Sequence, residues 1–106
     1  MSINKNFTKS GNKCRVTFKL MPETVLRLGA ENVVLVGDFC DWKVEAGSEM
    51  RLLKNGAFST TITLETGRDY LFKYVINGSV WENDDQPDAW VNDQSGNSNS
   101  MISLKQ

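Results

Sequence analysis

Two tryptophans and one lysine are the residues of this chain that best fit a chemical task. Trp42 follows a short apolar run, and Trp81 follows a predicted turn. Lys73 lies on the face of its strand opposite Tyr70 and Phe72, so it points outward if those aromatic residues form the core. Pyranose rings have apolar C–H faces that lie flat on indole rings, and a lysine ammonium can donate to their hydroxyls. The set therefore predicts a sugar-binding surface.

The same tryptophans also fit a hydrophobic core, because tryptophan is often largely buried in a folded domain. From the residues alone, Trp42 and Trp81 fit either role. Trp90 lies in a long polar segment, where an aromatic side chain more often pins a loop to the body of the domain. A single lysine on a strand is normally only solvated, so the hypothesis of a sugar site depends on the combination of these residues.

Carboxylates offer a different chemistry, since a pair of them can hydrolyse a glycosidic bond. The acidic candidates lie close together in one polar segment rather than at a fixed separation across a cleft: Glu82, Asp84, Asp85 and Asp88. The chain has no histidine, no glycine-flanked nucleophilic serine and no phosphate-cradling glycine loop. A solvated loop or a weak Ca²⁺ site is the simpler interpretation of this segment. We expect no enzymatic activity, no resident metal and no cofactor.

Charge and hydropathy narrow the function classes further. The 106 residues include 12 basic and 13 acidic side chains, and no basic run could neutralise phosphates. A nucleic-acid partner is therefore not expected. No apolar stretch is long enough to span a membrane, and the N-terminal sequence MSINKNFTKSGNK has no hydrophobic signal core, which predicts a cytoplasmic protein without a membrane partner. Cys14 and Cys40 are expected to be free thiols in that compartment.

Short alternating segments predict an all-β domain. In KCRVTFKLM and DYLFKYVI the residues of one face are apolar, and VVLVGDFCDW begins as a strand buried on both faces. Asn55-Gly56 and Asn77-Gly78 are strong hairpin signals. We expect one antiparallel β-sandwich over residues 12–106, preceded by a flexible arm over residues 1–11.

Three other segments give weaker signals. Pro22–Asn32 is expected to be a loop with Val25 or Leu28 touching the core, because Gly29 follows too soon for a convincing helix. Residues 83–99 are rich in Asn, Asp, Gln, Ser and Gly, which predicts a long surface loop. The chain should then close with a final edge strand around residues 101–104.

Three blocks, in order, resemble a known family: VVLVGDFCDW, GRDYLFKYVINGSVWEND and SGNSNSMISL. They are similar to the glycogen-binding module of the AMP-activated protein kinase β subunit, of isoamylases and of glycogen-branching enzymes. The chain closely resembles small bacterial proteins that consist of this isoamylase early-set domain alone. The resemblance covers nearly the whole chain. It implies an immunoglobulin-like β-sandwich that binds α-1,4-glucans such as glycogen, starch or maltodextrins without catalysing a reaction.

The resemblance also implies roles for single residues. Trp42 and Trp81 fall on the two stacking tryptophans, Lys73 on the family's lysine, and Asn99 on the asparagine before the last strand. A leucine that wedges into the glucan spiral in the kinase subunit corresponds to the polar Ser95 or its neighbours, so either Trp90 replaces it or that contact is lost.

An alternative function stays open at this point. A sandwich of this kind could act as an interaction or regulatory protein, with sugar binding weak or lost. It would dock onto a glycan-processing enzyme through exposed strands and Trp90.

Overall fold

The computed structural model describes residues 3–106 and consists mainly of two antiparallel β-sheets with one short helix, α1 (Pro22–Leu28). The strands are β1 (Ile3–Phe7), β2 (Lys13–Leu20), β3 (Val33–Gly37), β4 (Ser48–Glu49), β5 (Arg51–Leu52), β6 (Phe58–Glu65), β7 (Asp69–Ile76), β8 (Val80–Glu82), β9 (Ala89–Asn92) and β10 (Ser98–Ser103). The first sheet has the order β1-β2-β6-β5. The second has the order β4-β3-β7-β10-β9, with β8 paired to β7. This arrangement confirms the expected all-β fold, an immunoglobulin-like β-sandwich.

The core lies between the two sheets and is built from the alternating apolar faces of their strands. Phe18 of β2 meets Phe72 of β7 edge-on, with ring centroids 5.0 Å apart, and Phe72 packs in the same manner on Tyr74 at 5.8 Å. All three rings are fully buried. Each such side chain contributes roughly 1.5–3 kcal/mol by leaving water. The packing of these rings fixes the inner face of the second sheet against the first sheet. The outer face of the second sheet lies on the side away from this core.

Strand β3 is buried on both faces, as its unbroken apolar run predicted. Val33 and Leu35 point into the core, and Val36, on the opposite face, is also fully buried. The chain after β3 covers this outer side, because a Cβ on Gly47 would lie 2.7 Å from Cγ1 of Val34. Only glycine permits so close an approach.

The expectation of a loop over Pro22–Asn32 is wrong for most of that segment, which forms α1. Pro22 occupies the first turn, where its fixed φ suits a helix, and Gly29 ends the helix in the left-handed conformation with φ 60°. A helix of about two turns is enough here because Val25 and Leu28 pack against the core, as predicted.

The flexible arm expected over residues 1–11 is also corrected where the structure describes it. Ile3–Phe7 form β1, which pairs with β2 along its length. Lys5 holds this strand across the sandwich, because its Nζ donates to Oδ2 of Asp88 at 2.6 Å and to the carbonyl of Ser103 at 3.0 Å. The remaining part of that expectation, Met1 and Ser2, lies outside the described residues.

Residues 83–99 are not one long loop, since they contain β9 and the beginning of β10. Strand β9 has the sequence AWVN, which shows no alternation of apolar and polar residues. It exists because β10 provides the hydrogen-bonding partner. Strand β10 is consequently not an edge strand, since it lies between β7 and β9. Ile102 and Leu104 are fully buried, as expected.

Both Asn-Gly turns are confirmed. Asn77 and Gly78 have φ of 52° and 74°, and positive φ at two successive residues is what favours Asn-Gly in a hairpin turn. Because Ile76 pairs with Val80, the loop that connects β7 to β8 has three residues, with Ser79 as the third. Both cysteines are free thiols, with Cys14 buried and Cys40 partly exposed. Within residues 3–106, no helix is long and apolar enough to cross a membrane.

Candidate functional site

An open groove of about 660 Å³ lies on the outer face of the second sheet. Its lining combines two indole rings with amide, ammonium and carboxylate groups: Trp42, Leu71, Lys73, Trp81, Asp93, Asn97 and Asn99. Four of the five residues that the sequence singled out therefore lie together. Trp90 is the exception.

Trp42 reaches the groove because the chain turns sharply after β3. A short 3-10 turn over Asp38–Cys40 is followed by two left-handed residues, Asp41 and Trp42, with φ of 54° and 60°. The Trp42 backbone N–H donates to the Gly37 carbonyl at 3.0 Å and closes the loop. A left-handed conformation is costly for a bulky residue and persists only where its surroundings impose it.

Asp38 provides part of that constraint. Its Oδ1 accepts a hydrogen bond from Nε1 of Trp42 at 3.1 Å, and its Oδ2 accepts one from the backbone N–H of Leu71 at 2.7 Å. One carboxylate thus ties the indole to strand β7. The indole N–H is already used, so Trp42 offers a ligand its ring face rather than a donor.

Trp81 and Lys73 share the outer face by strand geometry. Trp81 lies opposite Val75, and Val75 is two residues from Lys73, so all three side chains point the same way. Trp81 is 43% exposed. An aromatic ring this open on a polar groove is available for stacking, which favours the platform role over the core role.

Asn99 reaches the groove from strand β10. The next residue, Ser100, pairs with Phe72, which places Asn99 beside Lys73 on the outer face. Strands β8 and β10 lie along the same side of β7, one after the other, so Trp81 and Asn99 flank the lysine from two separate strands.

A buried polar network joins these two strands beneath the groove. Ser100 is fully buried, and its hydroxyl donates to Asn83 Oδ1 at 2.9 Å and accepts the Asp84 backbone N–H at 2.8 Å. The Asn83 side chain also donates to Ser98 at 2.9 Å. The Tyr74 hydroxyl donates to Oδ2 of Asp84 at 2.6 Å. Burial, with the adjacent Asp84 carboxylate, raises the pKa of Tyr74 well above its usual value, so it stays a donor.

Trp90 does not join the groove. It lies opposite Ser100, and residues that face each other in a sheet point to the same side. Because Ser100 points into the protein, Trp90 projects from the inward side of edge strand β9 and is 56% exposed. Its inclusion in the site is therefore not supported, for a reason of register. Ser95 lies on the exposed turn between β9 and β10 and does not line the groove.

Three groove residues were missed by the sequence reasoning: Leu71, Asp93 and Asn97. Leu71 could have been found, because it shares the outer face of β7 with Lys73. Asp93 and Asn97 flank the β9–β10 turn, and the failure to predict β9 concealed them. Their backbones are paired, since the Asp93 N–H donates to the Asn97 carbonyl at 2.8 Å.

Asp93 organises this turn with one oxygen. Its Oδ1 accepts the Ser95 hydroxyl at 2.8 Å, the Ser95 N–H at 2.9 Å and the Asn97 N–H at 3.0 Å. The Ser95 hydroxyl is the main cause of the lowered pKa of Asp93. The backbone N–H groups and the charge of Lys73 add to it. Asp93 therefore carries a full negative charge at neutral pH.

Three of the four acidic residues considered for catalysis have separate structural partners. Asp84 is buried against Tyr74, Asp88 pairs with Lys5, and Glu82 accepts from Arg27 at 3.0 Å. Across residues 3–106, no three His, Cys, Asp or Glu side chains are grouped so that they could hold a metal ion.

The sequence also matches a known protein family. A family model described as the glycogen recognition site of AMP-activated protein kinase matches residues 24–106. The chain belongs to this family. It is therefore a carbohydrate-binding module of the glycogen-recognition type, as the resemblance of its sequence blocks implied. No curated protein matches the module.

A solved structure shares its fold. The enterobactin esterase FES from Shigella flexneri, crystallised in the presence of 2,3-dihydroxy-N-benzoyl-serine, matches the module with a TM-score of 0.71 and 10% sequence identity. The match covers 98% of this chain and 33% of the esterase chain, so the module spans about a third of that protein. At this identity the likeness shows the sandwich fold alone.

Proposed function

We propose that the module binds α-1,4-glucans, such as glycogen, starch or maltodextrins, in the groove on the second sheet and catalyses no reaction. Pyranose rings stack on Trp42 and Trp81, and Lys73 and Asn99 donate hydrogen bonds to sugar hydroxyls. The observation that carries the proposal is the convergence of these four residues, from separate strands and loops, on one open groove. A further part of the proposal, from the sequence alone, is that this happens in the cytoplasm.

The shape of the groove sets the expected affinity. An open surface removes little of a ligand from water, so the dissociation constant should lie roughly between micromolar and millimolar. Selection among different glucans should come from the spacing of the Trp42 and Trp81 rings and from the orientation of the sugar hydroxyls. The indole of Trp42 is already held by Asp38, so the ligand does not have to order that ring.

A titration with maltoheptaose, followed by tryptophan fluorescence and calorimetry, tests the proposal. Trp42→Ala and Trp81→Ala should each weaken binding about tenfold or more, which corresponds to about 1.4 kcal/mol. Trp90→Ala is the matched control, because it removes an exposed tryptophan from the other face of the sheet and should leave the affinity unchanged. A β-1,4-linked cello-oligosaccharide tests the linkage and should bind more weakly.

Two results would overturn the proposal. One is the absence of any binding at millimolar maltoheptaose. The other is a Trp90→Ala variant that loses as much affinity as Trp81→Ala while both remain folded by circular dichroism.

A second candidate function is favoured by the exposure of edge strand β9. Trp90 and Val91 are 56% and 36% exposed, on a strand paired along one side only. Unpaired strand edges with apolar side chains are typical docking surfaces. In this hypothesis the module docks onto a glycan-processing enzyme through β9.

Co-purification with and without amylase treatment separates the two functions. A protein partner that persists after the glucan is digested, and that is lost in Trp90→Ala but kept in Trp81→Ala, would support docking. A partner that disappears with the glucan would be bound through the sugar alone.

A further inference from the structure

The groove contains one positive and one negative side chain. Among its lining residues only Lys73 and Asp93 are charged, and the Lys73 ammonium acts on the Asp93 carboxylate without forming an ion pair. Neither residue belongs to a salt bridge within residues 3–106. The ammonium of Lys73 and the carboxylate of Asp93 therefore both line the groove, and their opposite charges sum to zero there.

The two carboxylate oxygens of Asp93 differ in their hydrogen bonding. Oδ1 makes the three bonds that hold the turn. Oδ2 makes no hydrogen bond with another residue of the range 3–106. A charged oxygen of this kind is a strong acceptor for sugar hydroxyls. It also repels a second anion placed at the same position.

We infer that Asp93 balances the charge of Lys73 and makes the groove select neutral glucans over glucans that carry phosphate or sulfate groups. This inference depends on the proposed function, since it concerns the ligand class of the same groove. With Lys73 alone, the groove would attract anionic sugars. With Asp93 beside it, the lysine donates to hydroxyls, and an anionic substituent meets a net neutral but locally repulsive rim.

The substitution Asp93→Asn separates charge from structure. An asparagine retains a side-chain oxygen that can accept the Ser95 and Asn97 N–H groups, so the turn should persist. What the variant loses is the negative charge. If Asp93 served the turn alone, the variant would bind both classes of glucan as the unaltered protein does.

The experiment measures the affinities of maltoheptaose and of a singly phosphorylated maltoheptaose by calorimetry at low salt. The unaltered module should bind the neutral sugar more tightly. Asp93→Asn should shift the ratio of the two affinities about three- to tenfold towards the phosphorylated sugar, and Lys73→Met should shift it in the opposite direction. Raising the salt to about 0.5 M should reduce both shifts, because exposed charges are screened.

Glu65→Gln provides the matched control. It makes the same change in net charge on the first sheet, away from the groove, and should leave the ratio unchanged. An equal shift in this control would assign the effect to net charge and overturn the inference. An unchanged ratio in Asp93→Asn, or an equal loss for both sugars, would overturn the inference too. In either case, measurable binding of maltoheptaose by the unaltered module would leave the proposed function standing. If the unaltered module binds neither sugar, both the function and the inference are wrong.

Discussion

The Asp38 carboxylate joins the Trp42 indole to strand β7. Oδ1 accepts the indole N–H at 3.1 Å, while Oδ2 accepts the Leu71 backbone N–H at 2.7 Å across 33 positions of sequence. The Asp38 side chain thereby positions the Trp42 indole, which lines one side of the groove, relative to strand β7, which carries Lys73. The position of the indole ring is therefore fixed by contacts within the protein itself.

Removing this carboxylate should weaken binding without removing the stacking ring. Asp38→Ala deletes both accepted hydrogen bonds, each worth about 0.5–1.5 kcal/mol, and frees the indole. We expect maltoheptaose affinity to fall about five- to tenfold and the indole N–H resonance of Trp42 to move in the unliganded spectrum. Asp41→Asn is the control, since asparagine tolerates the left-handed conformation and Asp41 is exposed. If Asp38→Ala binds normally, the bridge has no part in forming the groove.

The hydroxyl of Tyr74 should matter for binding although it lies in the core. Tyr74→Phe leaves the buried Asp84 carboxylate with one partner fewer, which costs about 1–3 kcal/mol of unfolding free energy. It also loosens the network beneath Trp81 and Asn99, so affinity for maltoheptaose should fall several-fold.

Tyr70→Phe provides a comparison on the same face of the same strand. Its hydroxyl donates to the Glu65 carbonyl at 2.8 Å, far from Asp84. The Tyr70→Phe variant should lose about 1 kcal/mol of unfolding free energy and keep its affinity for maltoheptaose. Denaturant unfolding and sugar titration of both variants provide the check, and equal affinities in the two would show that the network serves stability only.

The glycine before the turn should not tolerate a side chain. A Cβ at Gly37 would collide with the Leu71 carbonyl oxygen and with the Phe39 ring. Gly37→Ala should therefore destabilise the module by about 1–3 kcal/mol, as overpacking does, and displace Trp42 from the groove. At Gly67 a Cβ would meet nothing within 4 Å, so Gly67→Ala should cost only the left-handed conformation, about 1–2 kcal/mol, and keep the affinity. Thermal unfolding and titration distinguish them, and normal binding by Gly37→Ala would refute the prediction.

The link between β1 and Asp88 should make stability depend on pH in acid. Burial acts to raise the pKa of Asp88, but the hydrogen bonds from Lys5 and Ser103 outweigh it and hold the pKa below its usual value. A carboxyl with a lowered folded pKa stabilises the fold above its unfolded pKa, near 3.9. That contribution is lost as the pH falls through the folded pKa.

Asp88→Asn tests this sign. The pair is partly exposed, so the variant should be less stable at pH 7 by only about 1 kcal/mol. The difference should begin to shrink below about pH 3.9, where the unfolded carboxyl takes up its proton, and should close only as the pH falls through the lowered pKa of the folded carboxyl. Urea unfolding at pH 7 and at pH 2.5 measures it, and a gap of the same size at both values would contradict the assignment.

Local patterns determined a large part of this protein. Side-chain alternation is a property of a single strand, so β2 and β7 and their buried faces could be predicted from their own residues. The Asn-Gly turns were likewise predictable, because two residues define such a turn. Trp42, Lys73, Trp81 and Asn99 were proposed from the ordered blocks and their resemblance to a family, and the structure places all four on one groove.

What only the tertiary structure decided is the pairing between distant segments. Strand β9 is short, shows no alternation of apolar and polar residues, and exists because β10 pairs with it. That pairing puts Trp90 on the side of Ser100 and away from the groove. It also carries Asp93 to the groove rim beside Lys73. Register is a long-range property, and a shift of one residue would exchange the two faces of a strand. For the same reason the Asp38 bridge to Leu71, which depends on how the turn after β3 folds against β7, could not be seen in the sequence.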